Sequence, residues 1–170
     1  MWKSENSTTT ASGSREVAYP VEHVWQAMAT LLPYCPVCDV SAILDGPGDL
    51  RIGTTFRAFP GRVYERPDES SAVEGGTPGE IVHWSPHEVV ATRLEAGNET
   101  VVVQVEMAAA SPDTTLVTIS VGVTPQGQSR LAKAMARSSY ARMARRTVEG
   151  EIEKLPAHLA LLEASAEPDS

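Results

Sequence analysis

Between Gly79 and Thr124 apolar and polar positions alternate with a period of two. Val101, Val103, Val105 and Met107 share one face, and Val117, Ile119, Val121 and Val123 share another. This is the pattern of strands buried on one side. The alternation breaks at Ser85-Pro86-His87, Ala96-Gly97-Asn98 and Ser111-Pro112-Asp113, all turn-forming combinations. Four strands joined by short turns make an antiparallel meander whose apolar face needs a cover. From Gln126 to Leu162 the period changes. Val148, Ile152, Leu155, Leu159 and Leu162 recur at helical spacing and form one stripe. The pattern predicts an α+β domain in which a curved antiparallel sheet grips one long carboxyl-terminal helix.

The first third of the chain supplies the remaining elements. A strand is expected over Arg15–Tyr19, stopped by Pro20, which with Val21 and Glu22 then opens a helix. Val21, Val24, Trp25, Met28 and Leu32 fall on one face of that helix, and Pro33 ends it. Tyr34–Cys38 is a tight, proline-broken piece. Strands follow over Val40–Leu44 and about Ile52–Phe59, giving six to seven in all. Pro60–Pro78, rich in proline, glycine and acids, is expected to be a lid or partly disordered. Residues 1–13 and 165–170 are polar and read as disordered tails around a single domain at 14–164.

The long helix changes character along its length. Its stripe, extended backwards from Val148, runs through Ala144, Ala141, Arg137, Ala134 and Arg130. Small side chains there either leave a cavity against the sheet or permit close helix–sheet contact, and the sequence leaves both open. Pro156 is expected to kink the helix or divide it.

Charge narrows the partners. Between Gln126 and Val148 lie six basic residues and no acid, leaving −14 on the rest of a chain whose formal charge is −8. An acidic body lacks the broad basic footprint of a nucleic-acid binder, so no nucleic-acid partner is expected. No apolar run approaches the ~18 residues of a membrane span, and the amino terminus lacks the apolar core of a secretion signal. The expectations are a cytoplasmic protein, monomer or homodimer, without stable membrane insertion.

Several residues carry candidate chemistry. Cys35-Pro36-Val37-Cys38 has dithiol spacing, but it follows a helix and precedes a strand, whereas a redox dithiol needs a helix amino terminus. With His83 and His87 the cysteines make a metal-ligand set by type, yet the 44 residues between the pairs fit no compact zinc finger. His83 is expected on a strand face opposite Trp84, and no metal or cofactor is expected. Glu22-His23 is a proton-transfer pair by type only. Arg137 on the helix stripe, with Tyr140 beside it, and Arg57 and Arg93 on strands are polar groups that could enter an apolar pocket.

The residues TyrProValGluHisValTrp at Tyr19–Trp25, the run Ile43–Phe59 and the run Gly79–Glu95 resemble the START-like superfamily of helix-grip proteins, which includes lipid-transfer proteins and polyketide cyclase/dehydratases (SRPBCC). The resemblance covers about Arg15–Ala164 and implies two short helices after the first strand. It also implies an apolar pocket between sheet and long helix for a small hydrophobic molecule: a polyketide, lipid or aromatic metabolite. The tryptophan that usually follows the short helix is absent, and Cys38-Asp39 stands in that region. The candidate lining set is Tyr34, Phe56, Arg57, Trp84, Arg93, Val103, Met107, Ile119, Ala134, Arg137, Tyr140 and Ala141. The alternative is a cyclase, aromatase or dehydratase acting in the same pocket, with Tyr34, His83 and Arg137 as catalytic candidates. Fold alone does not choose between binding and catalysis.

Overall fold

The structure, a computed structural model, describes residues 8–63 and 75–166. The elements in chain order are β1 (Thr9–Val17), α1 (Val21–Met28), β2 (Val40–Leu44), β3 (Thr55–Pro60), β4 (Thr77–Ser85), β5 (Val89–Ala96), β6 (Glu99–Ser111), β7 (Thr114–Pro125) and α2 (Arg130–Ala166). The seven strands form one antiparallel sheet in the order β1-β7-β6-β5-β4-β3-β2, curved around the carboxyl-terminal helix. The first strand thus pairs with the last, and both lie under α2.

The period-two alternation is realised in burial along β7, while β6 is evenly half-buried from Glu99 to Val105. Val117, Ile119, Val121 and Val123 are all buried, and Val103 lies opposite Val121 and Val105 opposite Ile119. Two apolar clusters lie between sheet and helices. One gathers Val17, Val24, Met107, Val117, Ile119, Leu155 and Leu159 around α1. The other gathers Val121, Val123, Tyr140, Ala144 and Val148.

β1 begins at Thr9, so strand pairing takes in residues assigned by hydropathy to the amino-terminal tail, and it ends at Val17 rather than Tyr19. The reason is that β1 is held by polar cross-strand pairs, which leave no apolar periodicity. Thr8 meets Thr124 at 2.8 Å, Ser12 meets Ser120 at 3.1 Å and Ser14 meets Thr118 at 2.8 Å. Gly13 allows α2 to lie directly on this strand: a Cβ there would sit 2.8 Å from Val148 Cγ1. Gly79 similarly admits the Phe56 ring, which a Cβ would overlap.

α1 stops at Met28, a turn before the expected Leu32, and one helix rather than two follows β1. Where a second short helix was expected, Cys35 and Val40 form an antiparallel bridge around a tight turn. Asp39 has φ of 54°, a left-handed conformation that reverses the chain and that aspartate tolerates. The lid or disorder expected over Pro60–Pro78 falls largely on residues 64–74, which lie outside the described residues.

α2 runs unbroken through Pro156. Proline lacks the N–H that would bond the carbonyl four residues earlier, here that of Ile152. That carbonyl accepts instead from the Arg15 guanidinium on β1, at 3.3 Å. Further along the helix, the His23 ring nitrogen approaches the Leu159 carbonyl at 2.9 Å and ties α1 to α2. No helix among the described residues is long and apolar enough to cross a membrane.

Candidate functional site

A cleft of about 290 Å3 opens between the end of α1, the segment leading to β2, the centre of the sheet and the second half of α2. Its walls are mostly aliphatic. Met28, Leu31 and Leu32 come from the α1 side, Val40 and Ala42 from β2, and Val90, Val103, Val105 and Ile119 from the central strands. Leu155 contributes from α2 and is itself buried. One side of this lining is polar and carries Cys35, Cys38, Glu151 and His158.

The polar side is assembled from two distant parts of the chain. The turn after Cys35 closes with Cys35 N–H donating to the Val40 carbonyl at 2.8 Å and Asp39 N–H to the Cys35 carbonyl at 2.9 Å. On α2, Glu151, Leu155 and His158 follow at i, i+4 and i+7 and share a face. Leu155 and Leu159 anchor that face in the core, which turns His158 toward the cysteines. The imidazole Nε2 lies 3.1 Å from Cys38 Sγ, and Nδ1 lies 3.7 Å from Cys35 Sγ. Both thiols are free and half-buried.

Electrostatics keep Cys38 and His158 uncharged. Burial, then the Glu151 carboxylate and Cys35, push the Cys38 thiol up to about 12, against a smaller opposing effect of Lys154. Burial lowers the His158 pKa, with Lys154 adding to the effect and Glu151 opposing it. Near neutral pH the group therefore comprises a protonated Cys38 thiol and a neutral imidazole, whose unprotonated nitrogen carries a lone pair.

Of the twelve lining candidates named from the sequence, Val103 and Ile119 line the cleft. Met107 and Phe56 are buried elsewhere in the core, Phe56 against Gly79. Trp84 packs edge-on against Trp25 at 5.0 Å between ring centres. Arg57 donates to the Gly75 carbonyl and faces Asp45, while Arg93 is exposed between Glu80 and Glu95. Tyr34 donates to Asp39 at 2.9 Å and carries the Arg62 guanidinium over its ring. Tyr140 is buried in the other cluster and meets Gln128 through its hydroxyl, and Ala141 is half-buried nearby. Ala134 and Arg137 are exposed, because the side of α2 that meets the sheet runs through Ala136, Tyr140 and Ala144 instead. His83 is exposed on β4, and His87 pairs with Glu22, so neither reaches the cysteines. The histidine that does is His158. Its signal in the sequence is the polar stripe Glu151–His158, set beside the apolar one.

No family model matches this sequence, and no curated protein does. Solved structures match over nearly the whole chain. Norcoclaurine synthase from Thalictrum flavum, solved with dopamine and hydroxybenzaldehyde, superposes with a TM-score of 0.60 at 11% identity, covering 95% of this chain and 90% of its own. The protein TTHA0849 from Thermus thermophilus gives 0.59 at 13% identity, with 93% and 99% covered. The protein CV1439 from Chromobacterium violaceum gives 0.51 at 16%, with 95% and 99% covered. At these identities the likeness is one of fold, and it agrees with the element order read from the sequence. The chain has the START-like, helix-grip fold.

Proposed function

We propose that the chain binds one small, mostly apolar molecule in the cleft, with any polar end directed toward Cys38, Glu151 and His158. The observation that carries this reading is the cleft itself, a concavity between sheet and α2 with mostly aliphatic walls and a few polar groups on one side, as small-molecule sites have. At about 290 Å3 it stands at the lower edge of the ~300–1,000 Å3 typical of small-molecule sites. A space of this size suits a one- or two-ring aromatic or a short acyl chain. A long lipid or an extended polyketide would require the cleft to widen. That a protein of similar fold was solved with two single-ring aromatics supports an occupant of this size.

The catalytic alternative, a cyclase or dehydratase reaction, draws no support from Tyr34, His83 or Arg137, which stand outside the cleft lining. Binding is therefore the better-supported reading. Native mass spectrometry of the purified protein tests it. A small-molecule mass increment lost on denaturation is expected, either carried from the cell or acquired from a set of aromatic and short-acyl probes. A protein that stays at its bare mass with every probe would overturn the reading.

A further inference from the structure

The sulfur–imidazole cluster has a use that a purely apolar ligand would not require. We infer that Cys35, Cys38 and His158 form a binding site for a divalent metal of the zinc class, with its fourth coordination position open to the cleft. With one nitrogen taken from His158, the three donor atoms all lie within 4.8 Å of one another. Zinc–sulfur bonds of about 2.3 Å and zinc–nitrogen bonds of about 2.0–2.1 Å at tetrahedral angles need donor separations of roughly 3.5–3.8 Å. A contraction of about an ångström closes the set, and it falls on side chains. The imidazole now points a different nitrogen at each sulfur, and a swing of the ring brings one nitrogen to the shared centre.

The donor types fit. Two thiolates and an imidazole suit zinc, and the tight Cys35–Val40 turn presents its two sulfurs as a chelating pair. Three protein ligands with one position left to water or ligand is the arrangement of reactive rather than structural zinc sites. Binding releases the thiol protons to solvent. Because the cleft lining includes the same three residues, a polar end on the cleft's occupant could complete the coordination sphere.

The test uses the full, reduced chain and Co2+ as the probe, without any organic ligand, so that its outcome is independent of the small-molecule reading. One equivalent of Co2+ should produce tetrahedral ligand-field bands in the visible and a thiolate-to-cobalt charge-transfer band in the near ultraviolet. Zn2+ should bleach both. Cys38→Ser and His158→Gln should each weaken Co2+ binding beyond the roughly 10–100-fold cost of losing an outer-shell partner, while His83→Gln leaves it unchanged. Far-ultraviolet circular dichroism identifies a variant that fails to fold, and the other variant then decides. Reduced wild-type protein that binds no cobalt overturns the inference, as does a weak octahedral spectrum or equal loss in His83→Gln. So does a chain isolated as a Cys35–Cys38 disulfide whose reduced form stays colourless.

Discussion

Gly13→Ala introduces one methyl group where α2 lies on β1. The new Cβ would sit 2.8 Å from Val148 Cγ1 and 3.6 Å from Ile152 Cγ1. Val148 is buried and β-branched, so it has little rotamer freedom with which to yield. Overpacking of this kind costs about 1–3 kcal/mol. Removing a strand glycine returns about 0.5–1 kcal/mol of that through the unfolded state. The net expectation is a loss of about 0–2.5 kcal/mol, which lowers Tm by about 2–4 °C per kcal/mol in a chain of this size. Val148→Ala removes the opposing methyl, so the double variant should be less destabilised than the two singles together. The expected coupling is about 0.5–3 kcal/mol, as for residues in direct contact. Urea unfolding of the four proteins measures it. Additive effects would mean that α2 does not rest on β1 at Gly13, and the placement of the helix would be wrong.

Other substitutions probe other joints. Ser41→Ala should cost about 1–3 kcal/mol in urea unfolding, because the buried hydroxyl donates to the Gly61 carbonyl and accepts from Val63 N–H. Trp25→Ala should cost about 3 kcal/mol, the lower end for a large aromatic, since Trp25 is half-buried against Trp84; an unchanged midpoint would detach α1 from the sheet. In metal-free, reduced protein at pH 8, Cys38 should alkylate slowly, since a thiol with a pKa of about 12 is ionised in only about one molecule in 10⁴. Peptide mapping after timed iodoacetamide treatment reads this, and alkylation of Cys38 as fast as a free thiol would refute the burial of its charge.

The fold was legible because its strongest signals are local. The alternating apolar positions at Val101–Met107 and Val117–Val123, proline- and glycine-bearing turns and a clean stripe from Val148 to Leu159 each point to one reading. β1 was half hidden because Ser and Thr pairs hold it. The site was much less legible, and the reason is length. A 37-residue helix spans about 55 Å, more than the ~40 Å of the 12-residue β7, so its two ends meet different surroundings. Carrying the apolar stripe back from Val148 is right as far as Ala144, which packs closely on the sheet. It fails beyond, where Arg137 and Ala134 reach solvent. The space instead lies over the other half of α2, where the loop after α1 and the β2 strand complete the wall. No local pattern encodes that three-way junction, nor the meeting of Cys38 with a histidine 120 residues away.

The central claim, that a small apolar molecule occupies the cleft between sheet and α2, is tested most directly by titrating the protein with naphthol while following the probe's fluorescence, in the parent and in Thr92→Phe. Thr92 lines the cleft from β5 without belonging to either apolar core cluster, so a phenyl ring there fills the space and leaves both clusters intact. The account predicts saturable one-to-one binding to the parent and at least a tenfold rise in Kd, about 1.4 kcal/mol, in the variant at unchanged Tm. Equal affinity in the two proteins, or no saturable binding to the parent, would contradict it.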